Sequence, residues 1–259
     1  MAERTVGFVG AGRVARIILG GLERAGRTPA QIVASDTNPD ALNRLHSGFP
    51  AIRTARNNNR EAAAQDLVFL GLHPPAIAGA LAEIKDSLKP GAILISLAPK
   101  LSIARLAEGL GGFDRIARLI PNAASIIGKG YNPVAFSGAL PAGEKAEIQA
   151  LLDVLGKCPE VAEAKLEAYA VVTAMGPTYL WFQLHELRNL AQSFGMSAGE
   201  AEAGVAGMVA GAAETLFGSG MTALEVMDLI PVKPMGEEES NITAMYRARL
   251  EPLYQKLKN

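Results

Sequence analysis

Gly10-Ala11-Gly12-Arg13-Val14-Ala15 directly follows an apolar run, Thr5–Val9, and directly precedes a stretch with helical periodicity. The chemistry this spacing serves is anion binding. Gly10 permits a tight turn, Gly12 keeps side-chain bulk away from a pyrophosphate, and Ala15 is small enough for a helix to lie against a strand. The helix N-terminus adds free amides and the positive end of its dipole. Asp36 ends the second apolar run, where an acidic side chain accepts from a ribose hydroxyl. A nicotinamide dinucleotide is therefore expected on Gly10, Ala11, Gly12, Arg13, Val14, Ala15 and Asp36. Asp36 favours NAD, because its carboxylate repels a 2′-phosphate. Thr37 and Asn38 beside it, with Arg13 on the glycine loop, could hold that phosphate instead, so NAD and NADP both stay open.

Other polar residues fall near the same place. His73, in Gly71-Leu72-His73-Pro74-Pro75, lies just past the third apolar run, at the sheet end where ligands sit, so Leu72, His73 and Pro74 join the expected cofactor site. A lone histidine there serves equally as a loop hydrogen-bonder or a catalyst. Asn57-Asn58-Asn59 reads as a turn, from which Asn59 could cap the next helix or touch the adenine ribose. His46 and His185 fall on helical segments and read as structural. No His, Asp or Glu pair has metal-ligand spacing, so no metal is expected, and there is no Gly-x-Ser-x-Gly nucleophile turn.

These residues need a scaffold that brings strand ends together. Thr5–Val9, Gln31–Ala34, Asp66–Leu72, Ala92–Ala98 and Arg115–Ile120 read as strands, most of them apolar on consecutive positions as strands covered on both faces must be. Helices begin near Gly12, Pro39, Pro75 and Ser102, and Lys89-Pro90-Gly91 breaks the chain before the fourth strand. Asn132–Phe136 and Pro159–Ala162 are further strand candidates, with a helix from Gly143 to Leu155 between them. After about Glu163 the alternation stops. Lys165–Ser193 is one long apolar stretch with Gly176-Pro177 inside it, and that proline should bend the helix. Ser197-Ala198-Gly199-Glu200 has capping-box spacing and starts a new helix. Another follows Gly220, and Ser240–Leu257 closes the chain. The expected architecture is α/β: a Rossmann-type doubly wound sheet in residues 1–163, followed by an all-helical dimerisation and substrate domain in residues 164–259.

Composition removes several function classes. With 25 Lys+Arg against 26 Asp+Glu, the formal net charge of -1 leaves no basic excess to attract nucleic acid or an anionic membrane. Cys158 is the one cysteine in 259 residues, which excludes an internal disulfide and fits a reducing, cytoplasmic compartment. Met1-Ala2-Glu3-Arg4 carries no basic stretch followed by an apolar segment, so no signal peptide is expected. The Ala/Gly-rich stretch Ala203–Gly218 is interrupted by Glu214 and is too short to cross a hydrocarbon layer of about 30 Å.

Five segments in chain order resemble the pyrroline-5-carboxylate reductase family: Gly7-Phe8-Val9-Gly10-Ala11-Gly12-Arg13-Val14-Ala15; Ser35-Asp36-Thr37-Asn38-Pro39; Ser96-Leu97-Ala98-Pro99-Lys100-Leu101-Ser102-Ile103; Arg118-Leu119-Ile120-Pro121-Asn122 with Gly128 and Gly130; and Val171-Val172-Thr173-Ala174-Met175-Gly176-Pro177-Thr178-Tyr179. The resemblance implies reduction of the C=N bond of a cyclic imine by NADPH or NADH in proline biosynthesis. It also implies an interlocked homodimer, or a multiple of one, paired through the helical domain. Ala98, Pro121 and Asn122 would then join the cofactor site, and Gly176 and Pro177 would line the substrate cleft. The chain departs from the family at Arg13-Val14, where Asn-Met is usual, and at Lys100, where glycine is usual. Asn122-Ala123-Ala124-Ser125 replaces Asn-Thr-Pro-Ala. Val232-Lys233-Pro234-Met235-Gly236-Glu237-Glu238 stands for a glycine-rich Ser-Pro-Gly-Gly-Thr element that cradles the substrate, which makes Lys233 and Glu237 substrate-site candidates. Glu237 and Glu238 would put negative charge where an acidic substrate's carboxylate rests.

Related hydroxyacid dehydrogenases use a lysine on the long interdomain helix as acid/base, because an alcohol loses a proton as hydride leaves. Thr173 to Glu186 contains no lysine. An imine protonated beforehand needs positioning and a hydrogen-bond donor more than a strong base. Thr173, Thr178 and Tyr179 are the candidate donors, and Ser125 is a candidate orienting hydroxyl. Two other readings stay open: a non-catalytic dinucleotide-binding dimer, and a hydroxyacid or aldehyde dehydrogenase on the same scaffold.

Overall fold

A computed structural model describes residues 4–258 of the chain. The expectation of no leader peptide rests mainly on Met1-Ala2-Glu3, which lie outside the described residues. Strands β1 (Val6–Val9), β2 (Ile32–Asp36), β3 (Arg53–Arg56), β4 (Leu67–Leu70), β5 (Ile93–Ser96), β6 (Ile116–Leu119) and β8 (Val134–Phe136) form one sheet in the order β3-β2-β1-β4-β5-β6-β8. All pairs are parallel except β6 with β8. The strand order reverses beside β1, at the junction with β4, which is where open α/β sheets bind ligands. Two two-residue strands, β7 (Gly130–Tyr131) and β9 (Gly156–Lys157), pair separately.

Consecutive apolar residues fill both faces of the sheet. Phe8, Phe69, Ile93 and Ile95 pack with Ile18, Leu19 and Leu22 of helix α1 (Arg13–Arg24) and Ile148 and Leu152 of α6 (Ala142–Leu152). Val9, Val68, Leu70 and Leu94 pack on the other face with Ile77, Leu81 and Ile84 of α4 (Pro74–Ile84) and Leu106 of α5 (Ile103–Gly109). The doubly wound Rossmann architecture is as expected.

Three local differences have physical causes. Strand β3 and the short helix α3 (Asn59–Ala63) were not anticipated, because β3 is an edge strand whose sequence, Arg-Thr-Ala-Arg, buries only Ala55. Pro159–Ala162 is not a strand. Val134 donates to the Pro159 carbonyl at 3.0 Å and accepts from Val161 at 2.9 Å, but only an isolated bridge forms, and Pro159 has no N–H to extend it. The long helix expected over 165–193 is interrupted: α7 (Leu166–Tyr169) passes into a π-helical turn, Ala170–Ala174, and α8 (Pro177–Ser193) starts at the proline.

Compactness divides the chain into two units. One holds the described residues up to Met175 and those from Tyr254 onward, so the helical residues 166–174 stay with the sheet, past the point near residue 163 where strand alternation ends. The other, Gly176–Leu253, contains α8, α9 (Ala198–Gly218), α10 (Ala223–Asp228) and most of α11 (Glu239–Lys258). Its α9 opens with the expected capping box of Ser197 and Glu200, and α10 opens with a second, Thr222 and Glu225.

Candidate dinucleotide-binding site

β1 ends at Val9, and the chain turns at once. Gly10 has φ +105°, and a Cβ there would lie 2.6 Å from the Gly71 carbonyl oxygen at the end of β4, so conformation and space both demand glycine. Gly12 is the N-cap of α1 and has no side chain to satisfy the helix's first amides. A Cβ on Gly12 would meet nothing within 4 Å, which marks open space in front of those amides. Ala15, one turn in, is buried in the core. The cradle fits a pyrophosphate, with backbone donors at a helix N-terminus and no side chain in the way. Arg13 is exposed at the first position of α1, and Val14 is half-buried.

Asp36 closes the loop from the second strand. Its Oδ2 accepts from the Ala11 amide at 2.9 Å and its Oδ1 from the Asn38 amide at 2.9 Å. Asn38 in turn caps α2 (Pro39–Gly48), accepting from the Asp40 amide at 2.9 Å, while Thr37 is exposed. Leu72, His73 and Pro74 follow β4, Ala98 follows β5, and Pro121-Asn122 follows β6, all just past the carboxyl ends of parallel strands. His73 is the exposed N-cap of α4 and makes no side-chain cap, with Pro74 at the first helical position. Ala98 is buried. Asn59 is the first residue of α3 and does not cap it: its Oδ1 accepts from the Ser35 hydroxyl at 2.8 Å, and its Nδ2 and N–H donate to Glu83 at 2.8 and 3.0 Å. A cavity of about 420 Å³ opens at the other end of the sheet, among Arg4, Val6, Leu67 and Ile93, away from the strand ends that position these residues.

Asn122 links the turn after β6 to the interrupted helix. Its Nδ2 donates to the Thr173 carbonyl at 2.6 Å, an oxygen whose usual α-helical donor would be the N–H that Pro177 lacks. Its Oδ1 accepts from Ala124. The Thr173 hydroxyl donates to the Tyr169 carbonyl at 2.8 Å. Ser125 is 1% exposed, with its hydroxyl donating to Asn132 Oδ1 at 2.9 Å, so in this chain it locks the turn from within. Asn132 Oδ1 also accepts from the Asn122 amide.

Arg118, named above only within a family-like segment, has a structural role. Its guanidinium is buried on β6 and donates to Glu163 at 2.9 Å and Glu167 at 2.6 Å, and Nε has no partner among the described residues. The same glutamates accept from the Ile103 and Lys100 amides. One buried cation thus holds the loop after β5 and the start of α7 onto the sheet's carboxyl edge. An arginine inside an otherwise apolar buried strand was the available signal, since such a charge must find partners.

In the helical unit, Gly176 and Pro177 form the start of α8, and the Tyr179 amide donates to the Gly176 carbonyl at 2.9 Å. Thr178 is exposed. The Tyr179 ring meets the Tyr246 ring edge-on, and burial, with Tyr246 second, raises its phenol above the ordinary tyrosine value. Lys233 and Glu237 are exposed. Glu237 and Glu238 form the turn that leads into α11, where a helix N-terminus favours carboxylates.

Residues 5–100 match the family model described as NADP oxidoreductase, coenzyme F420-dependent. The chain is 26% identical over 229 residues to pyrroline-5-carboxylate reductase of Escherichia coli (strain K12), an alignment covering 88% of this chain and 85% of that protein. The solved pyrroline-5-carboxylate reductase of Coxiella burnetii matches at TM-score 0.70 and 25% identity, over 99% of this chain and 95% of that one. The chain is thus similar to pyrroline-5-carboxylate reductases over most of its length. The pyrroline carboxylate reductase of Plasmodium falciparum, solved with NADP bound, shares the fold at TM-score 0.84 and 20% identity, over 100% of this chain and 98% of that one. The likeness accounts for one departure noted above. Lys100 has φ +75°, a left-handed conformation that the glycine usual in pyrroline-5-carboxylate reductases adopts freely. Lysine does so at a cost of about 1–2 kcal/mol, and here its amide is held by Glu167.

Proposed function

We propose that this chain is an NAD(P)H-dependent reductase of the C=N bond of a cyclic imine, pyrroline-5-carboxylate or a close relative, acting in the manner of proline biosynthesis. The observation that carries the reading is the open glycine cradle at Gly12, in a chain that aligns with a pyrroline-5-carboxylate reductase over most of its length.

A bound dihydronicotinamide supplies the hydride that converts C=N to CH–NH. The amides following Gly12 would hold the pyrophosphate, and Asp36 would receive the ribose. Asn122 positions the helix interruption at Thr173. An imine protonated on nitrogen before it arrives takes the hydride on carbon and becomes a neutral amine, so the protein needs no strong base, consistent with the absence of lysine from Thr173 to Glu186. Its task is to orient the C=N bond and to donate a hydrogen bond to the lone pair that forms on nitrogen as the hydride adds to carbon. Thr173, Thr178 and Tyr179 are the assigned donors. The Tyr179 phenol, protonated at neutral pH in any case, is raised further by burial, and the Thr173 hydroxyl donates to the Tyr169 carbonyl. Gly176, Pro177, Lys233 and Glu237 complete the substrate-side assignment.

Residues 164–259 are assigned to dimerisation and substrate binding. Large apolar side chains on the helical unit, among them Phe194 and Phe217, face outward at 80% and 85% exposure in the single chain, which supports a homodimer or a multiple of one. No helix among the described residues is long and apolar enough to cross a membrane; a cytoplasmic location is the matching proposal.

The test is dinucleotide oxidation with a panel of cyclic imines, beside calorimetry on Gly12→Val. Turnover of at least one imine is expected, with dinucleotide affinity falling about a hundred-fold or more in the variant, whose side chain would occupy the pyrophosphate's space. Tight dinucleotide binding without turnover of any imine would turn the assignment to a non-catalytic dimer. Unchanged affinity in a folded Gly12→Val would move the cofactor off this loop.

A further inference from the structure

We infer that this chain selects NADH over NADPH, and that Asp36 makes the selection with a carboxylate that two backbone amides hold in place. The inference rests on the dinucleotide reading above and decides a choice which that reading leaves open.

A carboxylate at the end of β2 discriminates only if it stays there. An unanchored aspartate on a loop could rotate away and admit a 2′-phosphate. In this chain the rotation would break two bonds at once, because Oδ2 accepts from the Ala11 amide at 2.9 Å and Oδ1 from the Asn38 amide at 2.9 Å. Ala11 belongs to the glycine loop itself, so the side chain that meets the ribose also sets the loop that meets the pyrophosphate. Asn38 is fixed by its own capping of α2. The backbone on either side is held as well: the Gly10 amide donates to the Ser35 carbonyl at 2.8 Å, and the Asn57 amide to the Asp36 carbonyl at 3.1 Å.

The pinned carboxylate keeps room for a ribose. An ionised carboxylate has about four acceptor sites, and these two amides fill two of them. Ribose hydroxyls can donate to the remainder. A 2′-phosphate has lost most of its second proton at neutral pH and brings like charge against the carboxylate. Three groups nearby could offset that repulsion: Arg13 at the start of α1, Arg56, the register partner of Asp36 on β3, and Thr37. All three are exposed; the two arginines are hydrated and screened by salt and Thr37 is neutral, so they weaken the discrimination without reversing it.

The experiment is calorimetric titration of the full chain with NADH and with NADPH, for the wild type and for Asp36→Asn and Asp36→Ser. In the wild type NADH is expected to bind about ten-fold more tightly or better. Asn keeps one acceptor for the loop amides while losing the charge, and should narrow that ratio about ten-fold. Ser removes both contacts, and a lowered melting temperature in that variant would report loosening of the loop. Equal or tighter binding of NADPH by the wild type, or an unchanged ratio in a folded Asp36→Asn, would overturn the selection and leave the dinucleotide site standing. Failure of both dinucleotides to bind the wild type would overturn the selection together with the proposed function.

Discussion

The sheet unit and the helical unit meet water differently. In the sheet unit, Phe8, Phe69, Leu70, Ile93, Leu94 and Ile95 are shut off from solvent, because helices cover both faces of the same strands. Between Gly176 and Leu253, Ala201 is the one described residue that is buried, while Trp181, Phe182, Phe194, Phe217, Leu224 and Ile230 stand exposed. The sheet unit completes its core within itself. The helical unit carries core-type residues without a core, and its helices are held by end caps and surface ion pairs such as Arg188–Glu202. An apolar face of that kind is what the proposed association would cover.

The contrast should be plainest in large-to-small substitutions. Phe69 is fully buried and stacked on Phe8 with ring centroids 4.9 Å apart. Phe69→Ala should cost about 3–5 kcal/mol in urea unfolding. Phe217→Ala, at 85% exposure, should cost the dissociated chain less than about 0.5 kcal/mol. Comparable losses at the two sites in dilute protein would mean that the helical unit buries Phe217 on its own.

The same contrast explains what could be read from the sequence. The parallel strands were legible because burial on both faces leaves consecutive apolar residues, and the glycine loop because strand, spacing and helix coincide. Edge strand β3 carried no such run, and α3 is too short to show a period. The site was legible as a list of strand ends and illegible as a bonding network. Ser125 resembled a substrate hydroxyl, yet it bonds Asn132 inside the turn. Asn59 resembled a ribose contact, yet it joins Ser35 to Glu83. Partners seven and twenty-four residues away in the chain are fixed by the fold and leave no local mark.

A second prediction addresses the exposed face directly. Phe217→Lys combined with Leu224→Lys places charge on residues that are 85% and 77% exposed, so the single chain should fold normally. If the face is the dimer surface, burying those charges should weaken self-association about a hundred-fold or more in sedimentation equilibrium. A wild type that remains at 27.1 kDa at high concentration would remove the partner altogether. A variant that associates as tightly as the wild type would place the interface elsewhere on the helices.

The smallest expected effect separates the two units by their acids. Asp66, at the foot of β4, accepts from Lys89 at 2.7 Å, from the Thr5 amide at 2.9 Å and from the Thr5 hydroxyl at 2.8 Å. Lys89, followed by the Thr5 amide, lowers its carboxyl from 3.8 to about 2. Because the folded value lies below the unfolded one, the contribution is complete above about pH 4 and disappears as pH falls through 2. Glu200 and Glu225 in the helical unit are lowered too, by Ser197 and Thr222, but both are fully solvated. Asp66→Asn should therefore destabilise the protein modestly at pH 7, the side chain being about a third exposed and screened. That difference should shrink between pH 4 and pH 2 in urea midpoints, whereas Glu200→Gln and Glu225→Gln should give smaller differences over the same range. A deficit in Asp66→Asn that is unchanged at pH 2 would assign the role of Asp66 to its geometry with Thr5 rather than to its charge. Acid would then distinguish the two units no better than neutral water does.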